Sequence, residues 1–240
     1  MKKIAAIFLW ILLSSSTFNS YAQKRTELLI QANTATLERK FDKAIDLYGQ
    51  YIALNPNDFR GYFNRGTTAF NAIKYPLAIA DFTKTIDLNP IFMEAYYFRG
   101  QAFFHTKNYD KAIADFTQGL EKKPNNPAFL KLRAESYAAK DKNDAALTDL
   151  NTAIHYEKLS GDLYKRRAEL KVKLNDIDGG IKDYSAVEKL IPTYKMVHFI
   201  KGKLYLELNE IAFACDSFEE ALKHNIVVAD QLYAKYCTQP

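Results

Sequence analysis

Side chains able to do chemistry are few in this chain. Histidine occurs at His105, His155, His198 and His224, and cysteine at Cys215 and Cys237. A zinc site built on one helix needs histidines a turn apart, as in H-x-x-x-H or H-E-x-x-H, so that both rings reach the same ion. No pair among the four has that spacing, and no shared metal site is expected. The sequence also lacks G-x-S-x-G, C-x-x-C and a phosphate-cradling glycine loop, so no nucleophile, base and oxyanion set can be assembled. Neither catalysis nor a cofactor is predicted.

The charged residues are better ordered. Arg65, Arg99, Arg133 and Arg167 recur at intervals of 34, and so do Asp81, Asp115, Asp149 and Asp183. Each arginine comes with its own acid, which favours structural ion pairs between neighbouring helices over a cationic track for anionic ligands. Two pairings are open: within one period, or from each aspartate to the arginine of the next. Cys215 stands where the same period places Ile45, Ile79, Ile113, Leu147 and Ile181. It reads either as a buried thiol replacing an aliphatic side chain or as half of a bridge to Cys237.

The elements that must position these residues follow from the period itself. Counting from Arg25 gives six uninterrupted blocks, 25–58, 59–92, 93–126, 127–160, 161–194 and 195–228. The eighth place holds Ala32, Gly66, Gly100, Ala134, Ala168 and Gly202, and the twentieth is again small throughout, ending with Gly180 and Ala214. The twenty-fourth is always large: Tyr48, Phe82, Phe116, Leu150, Tyr184 and Phe218. Small residues let two helices approach closely and a bulky one fills the adjacent hole. Pro56, Pro90, Pro124 and Pro192 at the thirty-second place end the second helix of a block. Each block therefore predicts one helix over about places 2–14 and another over about 18–30.

This pattern resembles the tetratricopeptide repeat, a helix-turn-helix unit of 34 residues with small residues at eight and twenty, an aromatic at twenty-four and proline at thirty-two. The resemblance covers residues 25–228 and implies an all-α superhelical solenoid, closed by a capping helix and tail over 229–240. Departures are local. The fourth place, often Trp in the family, is Leu28, Tyr62, Tyr96, Leu130, Tyr164 and His198, and blocks four and six lack the proline. Block five, with Gly179, Gly180 and Glu188 in its second helix, is the expected soft spot.

In this family the first helices line a concave surface, into which places two, five, six, nine, twelve and thirteen point. Carried over, these places give a partner-binding groove of Asn33, Phe63, Asn64, Phe70, Tyr97, Phe98, Gln101 and Phe104 in one half, and Lys131, Lys165 and Arg166 in the other. Such a surface suits an extended peptide or a partner helix, although some of these aromatics also fit a place between helices. The carboxylate clamp of chaperone-binding members is not implied. Asn33 and Asn64 match it, but Leu29, Glu94 and Phe98 stand where its other residues belong. The expected function is a non-catalytic interaction scaffold in an envelope-associated assembly. The alternatives are a self-associating solenoid and, behind it, an enzyme or carbohydrate-binding protein.

The amino terminus carries the plan of a bacterial secretory signal: Lys2 and Lys3, the apolar run Ile4 to Leu13, then Ser20-Tyr21-Ala22 as a cleavage site. Ten apolar residues are too few to span a bilayer, which takes roughly 20. A periplasmic or extracellular location is therefore expected. Without Lys2 and Lys3 the 33 basic residues become 31 against 28 acidic, a net charge of +3 that gives nucleic-acid binding little support. With 48% hydrophobic and 25% charged residues and no Gly/Ser/Pro-rich stretch, the rest reads as folded and free of linkers.

Overall fold

The computed structural model describes residues 21–238, and among these the chain is all α. The predicted signal lies outside the described residues but for its last two, Tyr21 and Ala22, which are already helical. The first helix, α1, covers 21–37. It is followed by α2 (Phe41–Leu54), α3 (Phe59–Asn71), α4 (Tyr75–Leu88), α5 (Met93–His105), α6 (Tyr109–Lys122), α7 (Pro127–Ala138) and α8 (Asn143–Tyr156). Then come α9 (Gly161–Lys173), α10 (Ile177–Leu190), α11 (Met196–Glu207), α12 (Ile211–Lys223), a 3-10 turn (Val227–Ala229) and α13 (Asp230–Cys237). Consecutive helices pack in pairs, which makes the chain a helical-repeat solenoid. The second helix of every block begins in step, at Phe41, Tyr75, Tyr109, Asn143, Ile177 and Ile211.

The chain divides into two compact units, Met1–Gly119 and Leu120–Pro240. No linker marks the division, which falls within α6. A repeat touches mainly its neighbours, so a division can fall where composition does not change. In the first unit one cluster unites Leu28, Ala32, Ala44, Tyr48 and Tyr51, and another gathers Ala69, Ala78 and Phe82. In the second, one runs from Ala168 through Tyr184 to Leu204, and the last holds Ala214, Phe218, Ala221 and Ala229.

In blocks two, three and six the glycine at place eight lies against the phenylalanine at place twenty-four. All three glycines, Gly66, Gly100 and Gly202, face phenylalanine, while Ala32, Ala134 and Ala168 stand with Tyr48, Leu150 and Tyr184. A methyl group added to Gly100 would lie 2.5 Å from Phe116 Cε1, and one added to Gly202 would lie 2.5 Å from Phe218 Cε1. Phe116 and Phe218 are fully buried and have nowhere to turn. Gly100→Ala is accordingly expected to cost about 1–3 kcal/mol by overpacking. Adding Phe116→Leu, which reproduces the pair of block four, should return much of that loss in chemical denaturation. A second substitution that only adds to the first would overturn the account of Gly100 as room for the Phe116 ring.

Turns between the paired helices also recur. Arg39, Ile73, Lys107, Asp141, Asn175 and Asn209 all adopt φ between 55° and 65°, one per block at place fifteen. A left-handed residue here closes the first helix in the manner of a C-terminal cap, a position usually held by glycine. No glycine stands at any of the six. Ile73 is the costliest of these choices, since a β-branched residue crowds its own backbone at positive φ.

In block five both glycines of α10 sit against other groups. Asp176 caps α10, its Oδ1 accepting from the Gly179 N–H at 3.0 Å. A Cβ on Gly179 would collide with that carboxylate, and one on Gly180 would lie 2.5 Å from Val172 Cγ2 of α9. Both glycines make room for a contact.

Candidate functional site

The arginine-aspartate ladder pairs within each block. Arg65 Nη2 donates to Asp81 Oδ1 at 2.7 Å and its Nε to Oδ2 at 2.8 Å, and Arg99 holds Asp115 at 2.7 and 2.9 Å in the same two-pronged way. In the second unit Arg133 meets Asp149 at 2.8 Å through both nitrogens, and Arg167 meets Asp183 at 2.7 and 2.8 Å. All four aspartates are buried. Burial pushes the carboxyls of Asp81 and Asp115 up, while the guanidinium in front of each draws it down. The facing carboxylates hold Arg65, Arg133 and Arg167 above the usual guanidinium range. A free nitrogen then reaches back one block: Arg99 Nη1 donates to Thr83 Oγ1 at 3.1 Å, and Arg167 Nη1 to Asn151 Oδ1 at 2.8 Å. One guanidinium thus joins the second helices of two successive repeats.

Block six breaks the ladder, and its Lys201 finds another acid. Lys201 Nζ lies 2.8 Å from Glu188 Oε2, so the glutamate that replaces an aliphatic residue in block five is partnered across the repeat boundary. Glu188 Oε1 is also 3.9 Å from His198 Nδ1. His198 in turn stacks on His224, the ring centroids being 5.5 Å apart, and Glu220 Oε1 lies 3.2 Å from His224 Nε2. The absence of H-x-x-x-H spacing therefore did not keep the histidines apart. α11 and α12 bring His198 and His224 together from positions 26 residues apart. Single residues did carry a signal: a histidine at place four, a glutamate in an aliphatic column, and Glu220 one helical turn before His224.

The groove residues fall into two groups. Phe63, Phe70 and Phe98 are half-buried and pack against the core around Phe82, with Phe63 and Phe98 5.9 Å apart and Phe70 and Phe98 6.1 Å apart. They contribute to packing between α3 and α5 while keeping part of their surface exposed. Asn64, Tyr97, Gln101 and Phe104, on the same two helices, are likewise partly exposed but lie outside that cluster, with Tyr97 5.4 Å from Phe98 and Phe104 5.5 Å from Tyr109 between ring centres, and Asn33 is exposed on α1. Asn33 Oδ1 accepts from the Tyr48 hydroxyl at 2.6 Å.

In the second unit Lys131, Lys165 and Arg166 lie among acids. Lys131 Nζ is 3.0 Å from Asp162, Arg166 Nε is 3.1 Å from Glu135, and Lys165 sits 4.6 Å from the Tyr194 ring centre. Burial pushes the Glu135 carboxyl up against the pull of Arg166. The arrangement is a balanced network on α7 and α9 and no concentrated cationic site. At the end of the chain Cys215 and Cys237 form a disulfide that ties α12 to α13.

Paired helices, recurring small and large places and a repeated ion pair define a helical-repeat protein. Residues 63–127 and 108–162 each match the family model for the tetratricopeptide repeat, so the chain carries tetratricopeptide repeats over 63–162. Among solved structures it is similar to MamA from Desulfovibrio magneticus RS-1, at 15% identity and a TM-score of 0.68 over 71% of this chain and 97% of that one. A tetratricopeptide repeat protein from Parabacteroides merdae shares 20% identity with a TM-score of 0.64, over 88% and 83% of the two chains. YrrB, described as having an unusual peptide-binding site, gives 18% and 0.63 over 78% and 97%. No curated protein matches the chain.

Proposed function

We propose that this chain is a non-catalytic scaffold that binds an extended peptide or a helix of a partner protein. The observation that carries the reading is the partly exposed set on α3 and α5, in which Tyr97, Gln101 and Phe104 share one face of α5 and Asn64 adds an amide on α3. Aromatic anchors flanked by amides can hold both the side chains and the backbone of a peptide. The peptide-binding site named for YrrB supports this reading by analogy of fold. Export to the bacterial envelope is part of the proposal. It rests on the signal-like residues 1–22 and on a disulfide, which persists in oxidising compartments.

The reading is tested by crosslinking and affinity capture from envelope extracts with the wild type and a Tyr97→Ala, Phe104→Ala double variant. Loss of the captured partner from the double variant, with its helix content unchanged, is the expected result. An unchanged set of partners would remove the aromatic surface from consideration. Sedimentation on the same samples separates self-association, since a monomer at micromolar concentration argues against it.

A further inference from the structure

The carboxyl-terminal end of the second unit collects ionisable side chains around one small cavity. Its volume is about 210 Å³, and Glu188 from α10, His198 from α11 and Glu220 and His224 from the end of α12 all line it. One donor atom each from His198, Glu220 and His224 lie within 4.8 Å of one another. The two imidazoles are nearly parallel, with 26° between their planes. His198 is buried while Glu220 and His224 are half-exposed, so the group is anchored on one side and adjustable on the other.

We propose that His198, Glu220 and His224 bind a Zn²⁺ ion, with the fourth position open to the cavity. Ligand type selects the metal. Two imidazoles and one carboxylate suit zinc, whereas Ca²⁺ and Mg²⁺ take oxygen ligands throughout. In a tetrahedral site with bonds of about 2.0–2.1 Å, neighbouring donor atoms stand roughly 3.4 Å apart. The three donor atoms lie within 4.8 Å of one another, Glu220 and His224 already at 3.2 Å, and rotation of these two half-exposed side chains can bring the set to that spacing. Glu188 is already neutralised by Lys201 at 2.8 Å and faces His198 Nδ1 at 3.9 Å. That distance is beyond a hydrogen bond, and closing it would make Glu188 the outer carboxylate of a ligating imidazole, while the ion itself clamps α11 to α12.

The test is calorimetric titration of ZnCl₂ into tag-free protein stripped with a chelator. Binding of one ion per chain is expected. His198→Ala, His224→Ala and Glu220→Gln should each weaken it by tenfold or more, and Glu188→Gln by about tenfold, the lower end for an outer partner. Co²⁺ in place of zinc should give the intense visible absorption of a four-coordinate site, lost in His224→Ala. If His198→Ala fails to fold, Glu220→Gln and His224→Ala give the same reading, since both residues are half-exposed. Absence of saturable zinc binding overturns the proposal. So does wild-type affinity in a His198→Ala, His224→Ala double variant, which would assign the ion to other surface residues.

Discussion

Replacing Arg99 by methionine is expected to destabilise the first unit by about 3–5 kcal/mol, the cost of leaving a buried carboxylate without its counter-ion. Asp115 has only 6% of its side chain exposed and Arg99 only 17%, so water cannot substitute for the lost guanidinium. Adding Asp115→Leu removes the stranded charge. The double variant should return to within about 1 kcal/mol of the wild type, as apolar replacement of a buried pair often does. Chemical denaturation of the two single variants and the double forms the cycle that isolates the pair. Equal losses in Arg99→Met and in the double variant would sink the account.

The same variant carries a pH signature. Burial already raises the Asp115 carboxyl above its ordinary 3.8, and removing Arg99 raises it further. A carboxyl with a raised folded-state pKa binds more protons folded than unfolded, so it weakens the protein as pH rises from the unfolded value through the folded one. The deficit of Arg99→Met should therefore be full at neutral pH and shrink as the solution is acidified toward pH 4.

The second large effect is expected at the other end of the chain. The disulfide between Cys215 and Cys237 closes a separation of 22 residues, and removing it with Cys215→Ser, Cys237→Ser should cost about 3 kcal/mol. Where that loss appears matters more than its size. α13 has eight residues, none of them buried, and packs through the partly covered Leu232, Tyr233 and Cys237. A helix so short does not hold itself together in water. Hydrogen exchange should therefore accelerate over 229–238 while α10 and α11 keep their protection. Unchanged protection of α13 in the double-serine variant would mean that packing alone retains it.

Much of the fold was legible because its determinants repeat. Six small residues at one place and six large ones at another mark a helix pair in each block, and the ladder of Arg and Asp reports a pairing made four times. Signals of that kind add. The left-handed residue at place fifteen repeats as well, but only blocks four to six mark it chemically, with Asp141, Asn175 and Asn209, while Arg39, Ile73 and Lys107 carry no such signature. The division of the chain left no mark in composition either. For the candidate sites the reason is different. Whether Phe63, Phe70 and Phe98 face a groove or each other depends on the spacing between α3 and α5, which no residue encodes alone. The cluster of His198, Glu220 and His224 exists only once, at the last repeat, where three separate departures from the pattern meet.

The residues at places eight and twenty-four bear on how such a chain can change by recombination. Each block carries its own pair, Gly with Phe or Ala with Tyr or Leu, and its own acid for its own arginine in blocks two to five. A crossover or duplication that breaks between blocks moves complete sets and leaves every internal pair together. One that breaks in the turn between two paired helices can join the glycine of one block to the leucine of block four, which leaves a void, or an arginine to block six, whose Ser217 offers no acid. Breaks between blocks are thus the safer class of junction, and the chain can lengthen or shorten by whole blocks more readily than it can shuffle single helices.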